Sequence, residues 1–150
     1  MKKIPLWVKL LVTAFITGIV VLATAQLAEK PEIVLAGELK IESGLEDYAS
    51  ANKTLFIIIY SDDPAKPMPL GVMKEPVNVT EAGLIRRFSV TPSKIRTMMS
   101  KDPIPDTFRI KARLDRDGMG GKDQPGDITA NVTGIKYGSE NVVINFDTKI

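Results

Sequence analysis

Apolar and polar residues alternate most cleanly at Phe108 to Leu114 (FRIKARL). Phe108, Ile110, Ala112 and Leu114 fall on one side of an extended chain, and Arg109, Lys111 and Arg113 on the other. A period of two marks a half-buried strand. Leu35 to Ile41 (LAGELKI) alternates less strictly, and Thr54 to Tyr60 (TLFIIIY) is almost wholly apolar and β-branched or aromatic, which predicts a central strand covered on both sides. Leu70 to Val79 predicts a further strand, interrupted at its far end by Pro76, which cannot donate to a ladder. Gly83 to Val90 (GLIRRFSV) loses its alternation at Arg86-Arg87, where a bulge or an edge position fits. Ile128 to Ile135 and Asn141 to Asp147 complete the set, with a turn over Lys136 to Glu140. Between the strands, Ser61 to Met68 is a proline-containing loop, and Thr91-Pro92 predicts a cap and first helical position for one or two turns over KIRTMMS.

Seven short strands with little helix predict an all-β fold, an immunoglobulin-like β-sandwich over residues 35–150. The chain has no cysteine, so the sandwich rests on strand number and spacing rather than on a disulfide pair.

The amino-terminal pattern is different. Lys2 and Lys3 precede Pro5-Leu6-Trp7, and after Lys9 no charge occurs until Glu29. As a helix at ~1.5 Å per residue, Pro5 to Ala28 is about 36 Å long, enough to cross a hydrocarbon core of about 30 Å. Residues 1–28 therefore predict one membrane anchor, with residues 29–34 as a tether and a cytoplasmic amino terminus. The competing reading is a cleaved signal peptide ending near Ala23-Thr24-Ala25. Both place the remaining domain outside the cytoplasm.

Charge and composition narrow the chemistry. The whole chain carries +2, but setting aside Lys2, Lys3 and Lys9 leaves 17 basic residues against 18 acidic ones. Such a near-neutral domain has no electrostatic footprint for nucleic acid. Without histidine or cysteine there is no thiolate nucleophile, no histidine base and no His/Cys metal cluster. A non-enzymatic domain with no cofactor is the expectation.

In order along the chain stand Gly37 in the first strand, Thr54-Leu55-Phe56-Ile57, Met68-Pro69-Leu70-Gly71-Val72, Ile110-Lys111-Ala112-Arg113-Leu114 leading to Gly118, Gln124-Pro125-Gly126-Asp127, and an apolar closing strand Val142 to Phe146. On these strings the sequence resembles the carboxy-terminal domain of the cytochrome c-type biogenesis protein H/I family, over roughly Ala36 to Asp147. Members of that family typically carry two membrane helices and a helical-repeat segment before this domain; here there is one apolar segment and no repeat. The resemblance implies a membrane-tethered chaperone or scaffold. Its implied partners are the haem-lyase assembly or apocytochrome c.

The remaining candidates are local. Arg113 to Asp127 (RLDRDGMGGKDQPGD) opens like a calcium loop, with Asp115 and Asp117 at D-x-D spacing and Asp123 and Asp127 beyond. It has no carboxylate or amide at the fifth position and no glutamate at the twelfth. A long connection with Gly118, Gly120 and Gly121 at positive φ, Pro125-Gly126 turning the chain, Asp127 capping a backbone amide and Arg113 pairing across it is the preferred reading. Asp115 and Asp127 as acid and base of a hydrolase is a third. Arg86, Arg87 and Phe88 on an edge strand, together with Met98, Met99 and Met119, are the candidate partner-binding residues, since strand edges and adaptable methionines accept unfolded chains. Arg86-Arg87 and the row Arg109, Lys111, Arg113 are either a docking patch for acidic protein or phospholipid, or ordinary solvated faces. For the methionines the alternative is that Met73 and one of Met98 or Met99 fill the core. Asn52, Asn78 and Asn131 stand in N-x-T sequons, unmodified in the bacterial setting that the resemblance implies.

Overall fold

A computed structural model describes residues 32–98 and 102–150. The expected anchor over residues 1–28 and the candidate Met99 lie outside the described residues, among which no helix is long and apolar enough to cross a membrane.

Nearly all the regular structure among the described residues is strand: β1 (Leu35–Ile41), β2 (Thr54–Ser61), β3 (Pro69–Pro76), β4 (Gly83–Val90), β5 (Arg96–Thr97), β6 (Thr107–Asp115), β7 (Ile128–Lys136), β8 (Ser139–Phe146) and β9 (Thr148–Lys149). One sheet has the order β4-β1-β8, the other β5-β3-β2-β6-β7-β9. All pairings are antiparallel except β1 with β8, which run parallel. The inner faces meet in a single core: Leu35, Leu39 and Ile41 of β1 and Ile144 and Phe146 of β8 oppose Leu55, Ile57 and Ile59 of β2 and Phe108, Ile110, Ala112 and Leu114 of β6. Alternation fixes which face turns inward, because a slip of one residue would expose the whole set.

The all-β two-sheet architecture is therefore as the alternation predicts. Its strand order differs from that of immunoglobulin constant domains, where the sheets are ABED and CFG. Lettering the seven long strands A to G here gives CBEF and DAG. The reason is local: α1 (Glu46–Ser50), absent from the expected elements, and its flanking turns carry the chain from β1 into the other sheet. Gly37 then makes the parallel seam possible. A Cβ at this position would lie 1.8 Å from the Val142 carbonyl oxygen, so the strands can approach only without a side chain.

Two further expectations are corrected. The segment after Thr91 does not form the predicted helix: Pro92–Lys94 makes one 3-10 turn and Arg96–Thr97 joins the open edge of β3, pairing Gly71 with Thr97 and Val72 with Arg96. Thr91 is extended and its hydroxyl caps no backbone amide, so nothing starts an α-helix there. The apolar strand β2 is not covered evenly on both sides, since Ile58 and Tyr60 remain half-buried on the outer face while Phe56 is buried. At Arg86-Arg87 both parts of the expectation hold. β4 is an edge strand, and its register with β1 shifts between Leu39–Arg86 and Lys40–Leu84.

The register also places the loops. Strands β1, β8 and β2 start or end so that Glu32 to Val34, the 61–69 loop, Thr91 to Ile95, Asp106 and the Tyr137-Gly138 turn share one end of the sandwich. Helix α1, the 76–83 connection, the 115–128 loop and the carboxyl terminus share the other.

Candidate functional site

The residue that organises the aspartate-rich stretch is Arg113. Alternation puts it on the outer face of β6 with Arg109 and Lys111, yet it is 1 % exposed. The expected basic face is thus corrected at this position, because the 115–127 loop folds back over the sheet and covers the guanidinium. Below it lies the Phe56 ring, with the guanidinium carbon 5.1 Å from the ring centre. Around it stand three carboxylates: Asp115 Oδ2 at 3.0 Å from Nη2, Asp123 Oδ1 at 3.3 Å from Nη1 and Asp127 Oδ2 at 3.8 Å from Nε. Nη1 also donates to the Gly121 carbonyl at 3.0 Å and Nη2 to the Met119 carbonyl at 3.3 Å. The Nε contact is an ion pair and too long for a hydrogen bond, so that proton has no protein acceptor.

The loop's own polar groups close the arrangement. Asp115 Oδ1 accepts from the Gly118 amide at 2.6 Å, and Asp117 Oδ1 from the Met119 amide at 2.7 Å. Asp127 Oδ2 accepts from the Gln124 amide at 2.9 Å, the capping role expected of it. Lys74 reaches over from β3 to the Gly118 carbonyl at 2.6 Å, and Lys111 pairs with Asp123. Gly118, Gly121 and Gly126 have positive φ, which a residue with a Cβ rarely adopts, whereas Gly120, expected among them, does not. Asn52, after α1, is fully buried and donates to the Gly126 carbonyl at 3.1 Å. Its amide is thereby engaged within the fold, although the sequon pattern alone marks it as a surface position.

These contacts decide the chemistry of the stretch. Of the carboxylates considered for calcium, Asp115, Asp123 and Asp127 surround the Arg113 guanidinium, and Asp117 is turned to the Met119 amide. Asp115 and Asp127, the pair considered for acid–base chemistry, are both buried and committed to Arg113 and to backbone amides. Burial pushes the Asp115 carboxyl above its ordinary range, and the neighbouring Asp127 charge adds to this; the Gly118 amide and Arg113 offset only part. Burial also opposes the charged form of Asp123, but Lys111 and Arg113 outweigh it and hold that carboxyl below the ordinary range. The loop is an arginine-clasped connection whose exposed apolar tip, Met119 at 69 % exposure, has its backbone held on both sides.

The candidate partner-binding residues do not form one patch. On β4, Arg87 is open to solvent, with only a 3.8 Å approach to Glu38, while Arg86 pairs with Glu75 of β3 at 2.6 Å. Lys94 holds the other oxygen of Glu75 at 2.9 Å. Burial works against the Glu75 charge, but Lys94 and then Arg86 keep its carboxyl below the ordinary range. Phe88 points inward and is 6 % exposed in the core, so it is corrected from a surface contact to a packing residue. Met98 is exposed at the end of β5, at the opposite pole from Met119. Of the methionines considered for the core, Met73 is there and Met98 is not.

Sequence reasoning did not single out the outer edge of β8. A groove of about 460 Å³ lies at the Gly37 crossing, lined by Gly37, Arg87, Phe88, Asn141 and Val142 among others. A second of about 470 Å³ lies between β7 and β8, along Val132 to Ile135 and Ser139 to Val143. The one available signal was Gly37 itself, since a glycine inside a strand marks a bulge or a close approach. No family model matches the chain, and no curated protein or solved structure matches it.

Proposed function

We propose that this protein is a membrane-tethered accessory factor of cytochrome c maturation, acting by contact with the haem-lyase assembly or with apocytochrome c rather than by catalysis. On this reading residues 1–28 anchor the chain in the bacterial cytoplasmic membrane. The domain then stands on the periplasmic side as an immunoglobulin-like sandwich in the architectural sense, with a strand order of its own.

The observation that carries the reading is where the family-like strings fall. Gly37 lies at the β1–β8 seam that admits no Cβ, and Pro69 to Gly71 open β3, where Gly71 packs under Ile95. Ile110 to Leu114 form the stretch of β6 that carries Arg113, and Gln124 to Asp127 close the clasped loop through the Asp127 cap. That these strings fall at framework positions of the domain is what supports the reading. Contact surfaces are available in the β4 edge at Arg87 and in the exposed methionines Met98 and Met119.

The test is a pull-down from native membranes with the full chain, scored for haem-lyase components and apocytochrome, beside a deletion strain scored for mature c-type cytochromes. Recovery of either partner and a maturation defect are expected. Normal cytochromes with neither partner recovered would refute the role and favour the alternative, an envelope scaffold or adhesion sandwich, which a stable homo-oligomer would mark.

A further inference from the structure

We infer that the free edge of β8 receives an extended, uncharged segment of a partner polypeptide, which joins the three-stranded sheet as a fourth strand. The inference rests on the reading that the domain acts by contact with another protein chain, and it assigns the surface used and the conformation of what is bound.

Each sheet has two edges, and three of the four are covered or blunted. β5 lies along Gly71 and Val72 of β3, whose remaining edge carries Lys74, Glu75 and Pro76. β9 lies along Ile128 and Thr129 of β7, and Gly134, at φ 67°, makes the far half of that strand irregular. β4 carries Arg86 and Arg87 and a register shift against β1. Charges, proline, very short strands and bulges are what keep an edge from pairing with another chain. β8 has none of them over Val142 to Phe146 (VVINF). That segment contains no charge and no proline, and it pairs with β1 in unbroken register from Gly37–Val142 to Ile41–Phe146. Among the described residues no strand lies on its other side. Five extended residues offer about 17 Å of open ladder.

The space beside this edge selects the occupant. Where β8 begins, Val132 to Ile135 of β7 stand across from Ser139 to Val143, with the groove of about 470 Å³ between them. Among the described residues lining it, Glu140 alone is charged, so a neutral segment fits and a charged one would lose hydration with little in return. Successive side chains of an added strand turn to opposite faces. One set meets Val132 and Ile135 in the groove, and the other stands beside Val143, which is 48 % exposed, and the exposed Asn145. The matching sequence therefore alternates β-branched or aromatic residues with small polar ones. A second copy of this chain is a poorer fit, because its β8 is joined to its own β7 through the Tyr137-Gly138 turn and each sandwich would meet the other's β7. An extended segment with no sheet behind it meets no such obstacle, and its main chain supplies the ladder bonds.

The probe is a capped, fluorescein-labelled peptide of about seven residues alternating valine with threonine, titrated into the full-length chain in detergent and followed by anisotropy. Wild type and Arg87→Ala, on the blunted edge, are expected to bind it alike. Val143→Lys puts a charge on the open edge at an exposed position and should weaken binding about tenfold or more. A peptide methylated at two successive backbone nitrogens, one of which must face β8, should lose about as much on the wild-type chain, whatever Val143→Lys does to folding. No binding by wild type, binding indifferent to both changes, or a dimer in sedimentation that Val143→Lys dissolves would overturn the inference, the last by giving the edge to a second copy. Val143→Lys is also carried into the membrane pull-down. Undiminished recovery of maturation partners there would overturn the edge as their docking surface and leave the proposed role standing. Peptide binding at the edge by a wild-type chain that recovers no maturation partner would overturn the role and leave the edge standing.

Discussion

Replacing Arg113 with methionine removes the cation from the centre of the clasped loop and keeps much of the side-chain volume over Phe56. Asp115 and Asp127 are then left buried side by side with no opposite charge between them, and the carbonyls of Met119 and Gly121 lose a donor. Removing one partner of a buried ion pair typically costs about 3–5 kcal/mol, because the stranded charge keeps its desolvation penalty. That is a large share of the roughly 5–15 kcal/mol by which a domain is stable. At a urea m-value of about 2 kcal/mol per M the unfolding midpoint should fall by roughly 1.5–2.5 M at pH 7. The gap should depend on pH with a definite sign. Burial already raises the Asp115 carboxyl, and losing the guanidinium raises it further in the folded state, so the variant's deficit is smallest where Asp115 is protonated and grows as pH rises through its folded value. Urea unfolding of wild type and Arg113→Met at pH 4 and pH 7 measures this. A deficit below about 1 kcal/mol at pH 7, or one that widens toward acid, would refute the account of Arg113 as the clasp.

Gly37→Ala should unfold the domain or cost more than about 4 kcal/mol, because its Cβ meets backbone rather than a movable side chain; Gly120→Ala, with open space around it, should stay within about 0.5 kcal/mol, and thermal melts compare the two. Glu75→Gln should cost about 1 kcal/mol near neutral pH. Because the folded carboxyl is held low, that loss should vanish as pH falls through its folded value, which paired urea curves would reveal. The Glu32 hydrogen bond and burial push Tyr137 up to about 12, so ultraviolet titration should find one late-ionising tyrosine that Glu32→Gln returns toward ordinary values. The stability from that bond is complete below the ordinary tyrosine range and is lost as pH rises through the folded value.

By itself the sequence determined most strand positions and the inner faces. Leu35–Ile41 and Gly83–Val90 coincide with β1 and β4, and Phe108, Ile110, Ala112 and Leu114 all face the core. Alternation is a local record of burial, so it survives without knowledge of the partner strand. The glycines, Pro125 and the Asp127 cap identified the 115–127 stretch as a connection for the same reason, since turn chemistry acts within a few residues. Period two cannot tell which outer face another segment covers. Arg113 looks like Arg109 and Lys111 until the loop returns over it, and Phe88 looks like an edge contact until the other sheet is in place. Strand order was equally hidden, because pairing β1 with β8 depends on residues about a hundred positions apart meeting at a glycine. Long-range closure decided the connectivity, the burial of the arginine among its aspartates, and the pole at which Glu32 to Val34 join the sandwich.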